Sequence, residues 1–188
     1  GHSQAALAAY PQLGCTGGPY EVATMWGVKQ DVYCAGNEAV YQFLEDVLTE
    51  VMELFPSKYI HIGGDEARST PKDDYIYFIE RIEPYVAKYG KQMIGWEEIV
   101  QCSLPPTSVM HYWTDIKHAE MAVEKGVKIL MSPAPRAYID MKYTKATPLG
   151  LTWAGTVTTE QAYTWDPLTE VEGLDASIII GVEAPLWS

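Results

Sequence analysis

Several residue types are scarce in this 188-residue chain, and each scarcity closes off a class of protein. There are 13 Lys and Arg against 25 Asp and Glu, a formal net charge of −12. A surface this acidic repels a phosphate backbone, so nucleic acid is excluded as a partner. No apolar run approaches the roughly 18 residues of a membrane span. The chain opens on Gly1-His2-Ser3 without an initiator Met, so the lack of a visible signal peptide carries no weight. Three cysteines allow at most one intrachain bridge and exclude a disulfide-built scaffold. Cys15 and Cys34 lie in a Gly-rich stretch where a bridge would close a short loop; three reduced thiols are an equal reading.

What is present is a globular composition, 47% apolar and 20% charged, which excludes disorder and coiled coil. The aromatics are unbalanced: 13 Tyr and 6 Trp against only 3 Phe. Phe serves a dry core, whereas Tyr and Trp join an apolar face to a polar edge and suit half-wet clefts such as sugar sites.

Along the chain, Tyr10 to Gly36 reads as a long loop with at most short helical pieces. Val40, Phe43, Leu44, Val47, Leu48, Val51 and Phe55 then recur at helical spacing, with Asn37 as N-cap and Pro56 as stop. Tyr59 to Ile62 is a strand ended by Gly63-Gly64. Thr70-Pro71 opens a second helix with Ile76, Ile79, Ile82 and Val86 on one face, Gly90 as its stop and a kink or break expected at Pro84. Strands follow at Gln92–Trp96 and Val109–Trp113, a third helix from Ile116 to Gly126, a strand at Val127–Met131, a short helix near Thr159–Tyr163 and a last strand at Ser177–Val182. Short apolar strands alternating with helices predict a parallel α/β sheet. No Gly-rich phosphate loop follows any strand, which counts against a doubly wound nucleotide fold. The alternative is a (β/α)₈ barrel, and at about 250 residues for a complete one this chain is short by roughly two βα units.

The chemistry-bearing residues gather at the C-terminal ends of these strands, where parallel barrels assemble active sites. Asp65-Glu66 follows the first strand, Trp96-Glu97-Glu98 the second, and Tyr112-Trp113 the third. Tyr138-Ile139-Asp140 lies beyond Met131, and the last strand ends in Leu186-Trp187. Adjacent side chains of a regular strand point to opposite faces, but past the Gly-Gly break both carboxylates can turn to one substrate. Crowding drives two such acids apart in pKa, leaving one proton donor and one carboxylate. Helix capping is the ordinary role of an isolated Asp-Glu pair; the surrounding His61-Ile62-Gly63-Gly64 makes catalysis the better reading. A metal on His61, Asp65 and Glu66 is the lesser one, because no second His completes a ligand set. His61 is expected as a hydrogen-bonded interior histidine supporting the acids. Trp96, Trp113 and Trp187 are expected to form an indole box for a methyl group or sugar face, while Trp26, Trp153 and Trp165 read as ordinary packing.

These motifs resemble family 20 of the glycoside hydrolases, the β-N-acetylhexosaminidases. His61-Ile62-Gly63-Gly64-Asp65-Glu66 is similar to the family's central motif. Gly1-His2-Ser3, Gly95-Trp96-Glu97-Glu98, His111-Tyr112-Trp113, Tyr138-Ile139-Asp140 and the run Gly181 to Ser188 follow in family order. The resemblance implies a single partial catalytic domain over 1–188, an incomplete (β/α)₈ barrel from about strand three to strand eight. It implies removal of terminal GlcNAc or GalNAc with retention, the substrate's own acetamide acting as nucleophile. Carried onto this chain, Glu66 would be the general acid/base, Asp65 would orient the acetamide, and Tyr138 would hydrogen-bond its oxygen. Trp96, Trp113 and Trp187 would enclose the sugar, and Asp140 and His2 would contact hydroxyls or support the acids.

The resemblance implies no cofactor and no metal. The implied partners are glycans ending in N-acetylhexosamine, or chitooligosaccharides. A Cys15–Cys34 bridge, as in relatives, would favour an exported protein. The chain departs from the pattern in ending before a sugar-binding Glu, in lacking a first-strand Arg, and in carrying Ala67 where many relatives have Cys. An open barrel edge is expected to leave this stretch unstable or inactive alone, so a non-catalytic sugar-binding remnant is the second reading. A chitinase is disfavoured, since no Asp-x-Asp-x-Glu run occurs.

Overall fold

The computed structural model describes residues 2–187. The chain divides into two compact units, residues 1–105 and 106–188, each built from strands followed by helices.

In the first unit, helix α1 (Gln4–Ala9) leads into a single 3₁₀ turn, Pro11–Leu13. Six residues are too few for a periodic apolar pattern, and α1 was not foreseen from the sequence. A disulfide joins Cys15 to Cys34, beside the backbone bond from Cys34 N–H to Leu13 O. Helix α2 (Glu38–Leu54) starts where expected, the Asn37 side chain accepting the Ala39 N–H. Its apolar stripe packs inward through Val40 and Met52, but Phe55, at the C-cap, is exposed.

Strand β1 (Tyr59–His61) pairs in parallel with β2 (Gln92–Trp96), and helix α3 (Lys72–Lys88) connects them. Helix α3 runs through Pro84 as one helix, so of the expected kink or break the break does not occur. An interior proline costs about 3 kcal/mol. Ile79, Ile82 and Val86 are each buried to within 2%, and at about 1.5–3 kcal/mol apiece they outweigh it. The core joins Ile79 and Val86 to Met52, Ile60, Met93, Ile99 and Cys102. After β2 a 3₁₀ segment, Glu97–Gln101, buries Ile99 and Val100.

In the second unit, β3 (Val109–Tyr112), β4 (Lys128–Met131) and β5 (Ile179–Val182) pair in parallel in that order. Helix α4 (Ile116–Lys125) links β3 to β4, capped by Asp115 and closed by Gly126 in the left-handed region. A four-residue helix α5 (Ala134–Ala137) follows β4, and α6 (Thr159–Thr164) begins with a reciprocal capping box between Thr158 and Gln161. Among the described residues no helix is long and apolar enough to cross a membrane.

Candidate active site

The end of β1 carries the densest set of functional groups. Past His61 the chain leaves the sheet in a run of left-handed residues: Gly63 at φ +75°, Gly64 at +95° and Glu66 at +52°. Among the described residues Glu66 is the one non-glycine with positive φ, a conformation worth explaining in a residue with a Cβ. The break reverses the strand alternation and turns both acids toward His2. Its Nε2 lies 3.0 Å from Asp65 Oδ2 and 3.2 Å from Glu66 Oε2. The Arg68 guanidinium donates to the other Glu66 oxygen at 2.9 Å.

The turn is held from several sides. Gly63 donates its N–H to His61 Nδ1 at 3.0 Å, and the Trp96 N–H reaches Gly63 O at 2.8 Å. The Tyr75 hydroxyl donates to Gly64 O at 2.6 Å. Glu98 Oε1 accepts the Glu66 N–H at 3.2 Å. Burial pushes the Glu98 carboxyl upward, helped by the nearby Glu97 and Asp65 charges. Burial likewise raises the Tyr75 phenol, which therefore stays a donor.

His61 is hydrogen-bonded as expected but is not interior. It sits on β1, which pairs with β2 on one side, and it keeps exposed surface. Protein crowding around the rest of the ring still lowers its imidazole to about 4, with Asp65 pulling the other way. His61 is thus neutral at pH 7, consistent with Nδ1 accepting from Gly63. Its ring meets Trp96 edge-on at 5.1 Å, and Trp96 is buried. His2, His61 and Asp65 line a hollow of about 400 Å³ together with Leu48, Ile62 and Phe78.

The second unit carries its own aromatic cluster. Tyr138 is buried at the C-terminus of α5, against Ala134, Met141 and Val157, with Trp113 packed alongside. Trp153 meets Trp113 at 5.9 Å and Tyr138 at 5.5 Å, both edge-on. Trp153 thus belongs with the candidate residues rather than with ordinary packing; it lies in an irregular segment where no periodicity marks it. Asp140 is 6% exposed, and neither carboxylate oxygen has a hydrogen-bond partner among the described residues. Such a group is costly to bury unless a ligand completes it. Trp187 lies five residues beyond Val182, where β5 ends, rather than on the strand end, and is 55% exposed.

Sequence reasoning also passed over Tyr75, Arg68 and the individual role of Glu98. Glu98 was visible within Trp96-Glu97-Glu98, but nothing in the spacing says which backbone group it meets.

Comparison with known proteins shows the family of the chain. The catalytic domain of glycosyl hydrolase family 20 matches residues 1–73 and 68–188. A β-N-acetylhexosaminidase of Cellulomonas fimi is 38% identical over 191 residues, covering 100% of this chain and 38% of that protein. The solved family 20 β-N-acetylhexosaminidase of Streptomyces coelicolor A3(2) superposes with a TM-score of 0.95 at 42% identity, covering 100% of this chain and 40% of the other. A mutant Streptomyces plicatus β-hexosaminidase in complex with the product GlcNAc gives 0.94 at 42% identity, with 100% and 39% covered. The chain therefore spans about two fifths of the length of these relatives, and its parallel strand–helix units are part of a (β/α)₈ barrel fold. From its first to its last residue, this is a chain of glycosyl hydrolase family 20.

Proposed function

We propose that this chain carries the catalytic residues of a retaining exo-β-N-acetylhexosaminidase that removes terminal GlcNAc or GalNAc by substrate-assisted catalysis. Its substrates are glycans ending in N-acetylhexosamine, chitooligosaccharides among them. The observation that carries this is the pair Asp65 and Glu66, both carboxylates within 3.2 Å of one imidazole nitrogen on a turn that defeats strand alternation.

In this reading Glu66 protonates the glycosidic oxygen as the bond from C1 to that oxygen breaks. The 2-acetamido oxygen bonds to C1 from the opposite face and gives a cyclic oxazolinium ion. Asp65 accepts a hydrogen bond from the acetamido N–H and stabilises the positive charge. Water then attacks C1, Glu66 takes its proton, and the ring reopens with configuration retained. Intramolecular attack avoids recruiting a second molecule, for which effective molarities are very large. Tyr138 donates to the acetamido oxygen, while Trp96, Trp113 and Trp187 enclose the sugar. The uncompleted oxygens of buried Asp140 suit sugar hydroxyls, and His2 sets the two acids relative to each other. His61 supports the turn.

The test is turnover of an aryl β-GlcNAc by the full-length protein. Glu66→Gln and Asp65→Asn should each lower kcat by about 10²–10⁴-fold. A substrate whose acetamide is trifluorinated should react far more slowly with unaltered protein. Near-normal turnover by both variants, or indifference to fluorination, would remove the proposal.

A further inference from the structure

The turn that carries the acid pair is held at both ends by half-buried side chains that bond to its backbone. At one end the Tyr75 hydroxyl, from α3, donates to Gly64 O at 2.6 Å. At the other, Glu98 Oε1, from the segment after β2, accepts the Glu66 N–H at 3.2 Å. Between these anchors Gly64 and Glu66 both hold positive φ. Glycine adopts that conformation freely, but Glu66 does not, and it must be held there by its surroundings. Glu98 supplies that hold through the amide of the very residue whose side chain is aimed. Its second oxygen, Oε2, is buried with no hydrogen-bond partner among the described residues. Glu98 is thus directed at the Glu66 amide rather than engaged in an ion pair of its own.

We propose that Glu98 and Tyr75 are positioning residues for proton donation: they clamp the Gly64–Glu66 backbone so that the Glu66 carboxyl meets the leaving oxygen. The inference rests on the reading of Glu66 as the proton donor. What Glu98 contributes is an acceptor oxygen at a fixed point. Glutamine in its place keeps such an oxygen, and leucine does not.

Misplacing a proton donor hurts most where the leaving group needs the proton. Full-length protein is therefore assayed on two β-GlcNAc glycosides, phenyl and 2,4-dinitrophenyl. The phenolate of the first is a poor leaving group, and the second departs without help. Glu98→Leu should lower kcat on the phenyl glycoside by about 10²-fold, the order expected for a displaced reacting group. On the dinitrophenyl glycoside the loss should be a few-fold at most, with KM little changed on either. Glu98→Gln should recover most of the loss, and Tyr75→Phe should show the same leaving-group dependence in milder form.

Equal losses on both glycosides, no loss at all, or a Glu98→Gln variant as impaired as Glu98→Leu would overturn the proposal. If Glu98→Leu does not fold, Tyr75→Phe decides: equal loss on both substrates, or none, refutes the clamp. Glu66→Gln separates the two ideas. If it fails to discriminate between the glycosides, the proton-donor reading falls; if it discriminates and the Glu98 and Tyr75 variants do not, only the clamp falls.

Discussion

His2 Nε2 stands 3.0 Å from Asp65 Oδ2, although 63 positions separate the two residues in the chain. The same nitrogen is 3.2 Å from Glu66 Oε2, so one imidazole spans two carboxylates that would otherwise repel. A single N–H cannot serve both fully, and His2 therefore sets their spacing as much as it binds either.

Replacing His2 by Ala should accordingly lower kcat/KM more than it lowers stability. A hydrogen bond to a charged group is worth about 1.5–3 kcal/mol, but the His2 side chain is 59% exposed and water offsets part of it. About a tenfold loss in kcat/KM with an unchanged melting temperature is the expected outcome, read by steady-state kinetics beside calorimetry. A loss confined to stability would show that His2 only packs.

A side chain at Gly64 would be strained and crowded. Its φ is +95°, and an added Cβ would lie 3.1 Å from Ile99 Cγ2 and 3.2 Å from the Tyr75 hydroxyl. Gly64→Ala should cost about 1–2 kcal/mol from backbone conformation alone. A fall in melting temperature of at least a few degrees follows, together with a larger loss of activity, because the displaced atoms include the Tyr75 anchor.

The Cys15–Cys34 bridge closes a 19-residue separation in a region with little regular structure. Its removal by Cys15→Ser with Cys34→Ser should destabilise the protein by about 2–4 kcal/mol, measured by denaturant unfolding. Cys102 is buried and should react with a thiol reagent only on unfolding.

His61 and Glu98, both at the turn, make stability depend on pH in opposite directions. The folded state lowers His61 to about 4, so below an ordinary value near 6.5 the unfolded chain binds the proton more readily. Stability from this group is present above pH 6.5 and is lost as pH falls toward 4. Glu98 is raised, so its contribution is present below the ordinary glutamate range and is lost as pH rises above it. Melting temperatures measured across pH should therefore show Glu98→Gln gaining on the unaltered protein as pH rises, and His61→Asn gaining on it as pH falls from 6.5 to 4.

Helix α2 was legible because Asn37 and the 3.6-residue spacing act through neighbours in sequence. The same local logic revealed α4, with Gly126 at its end. Pro84 did not break its helix, because a local rule about helix interiors was outweighed by burial of Ile79, Ile82 and Val86. His61 misled: strand alternation says which face a residue occupies, not whether a neighbour covers it.

The alternation of β1 to β5 with α2, α3, α4 and α6, the acidic charge and the motif Gly63-Gly64-Asp65-Glu66 were legible in the sequence, since each depends on residue type and short-range spacing. Packing of distant segments is what brings His2 to both acids, Glu98 to the Glu66 amide, and Trp153 to Trp113 and Tyr138. Those contacts join residues far apart in the chain. Long-range contacts are set by how elements pack, and no local pattern encodes which side chains the packing brings within 3 to 6 Å.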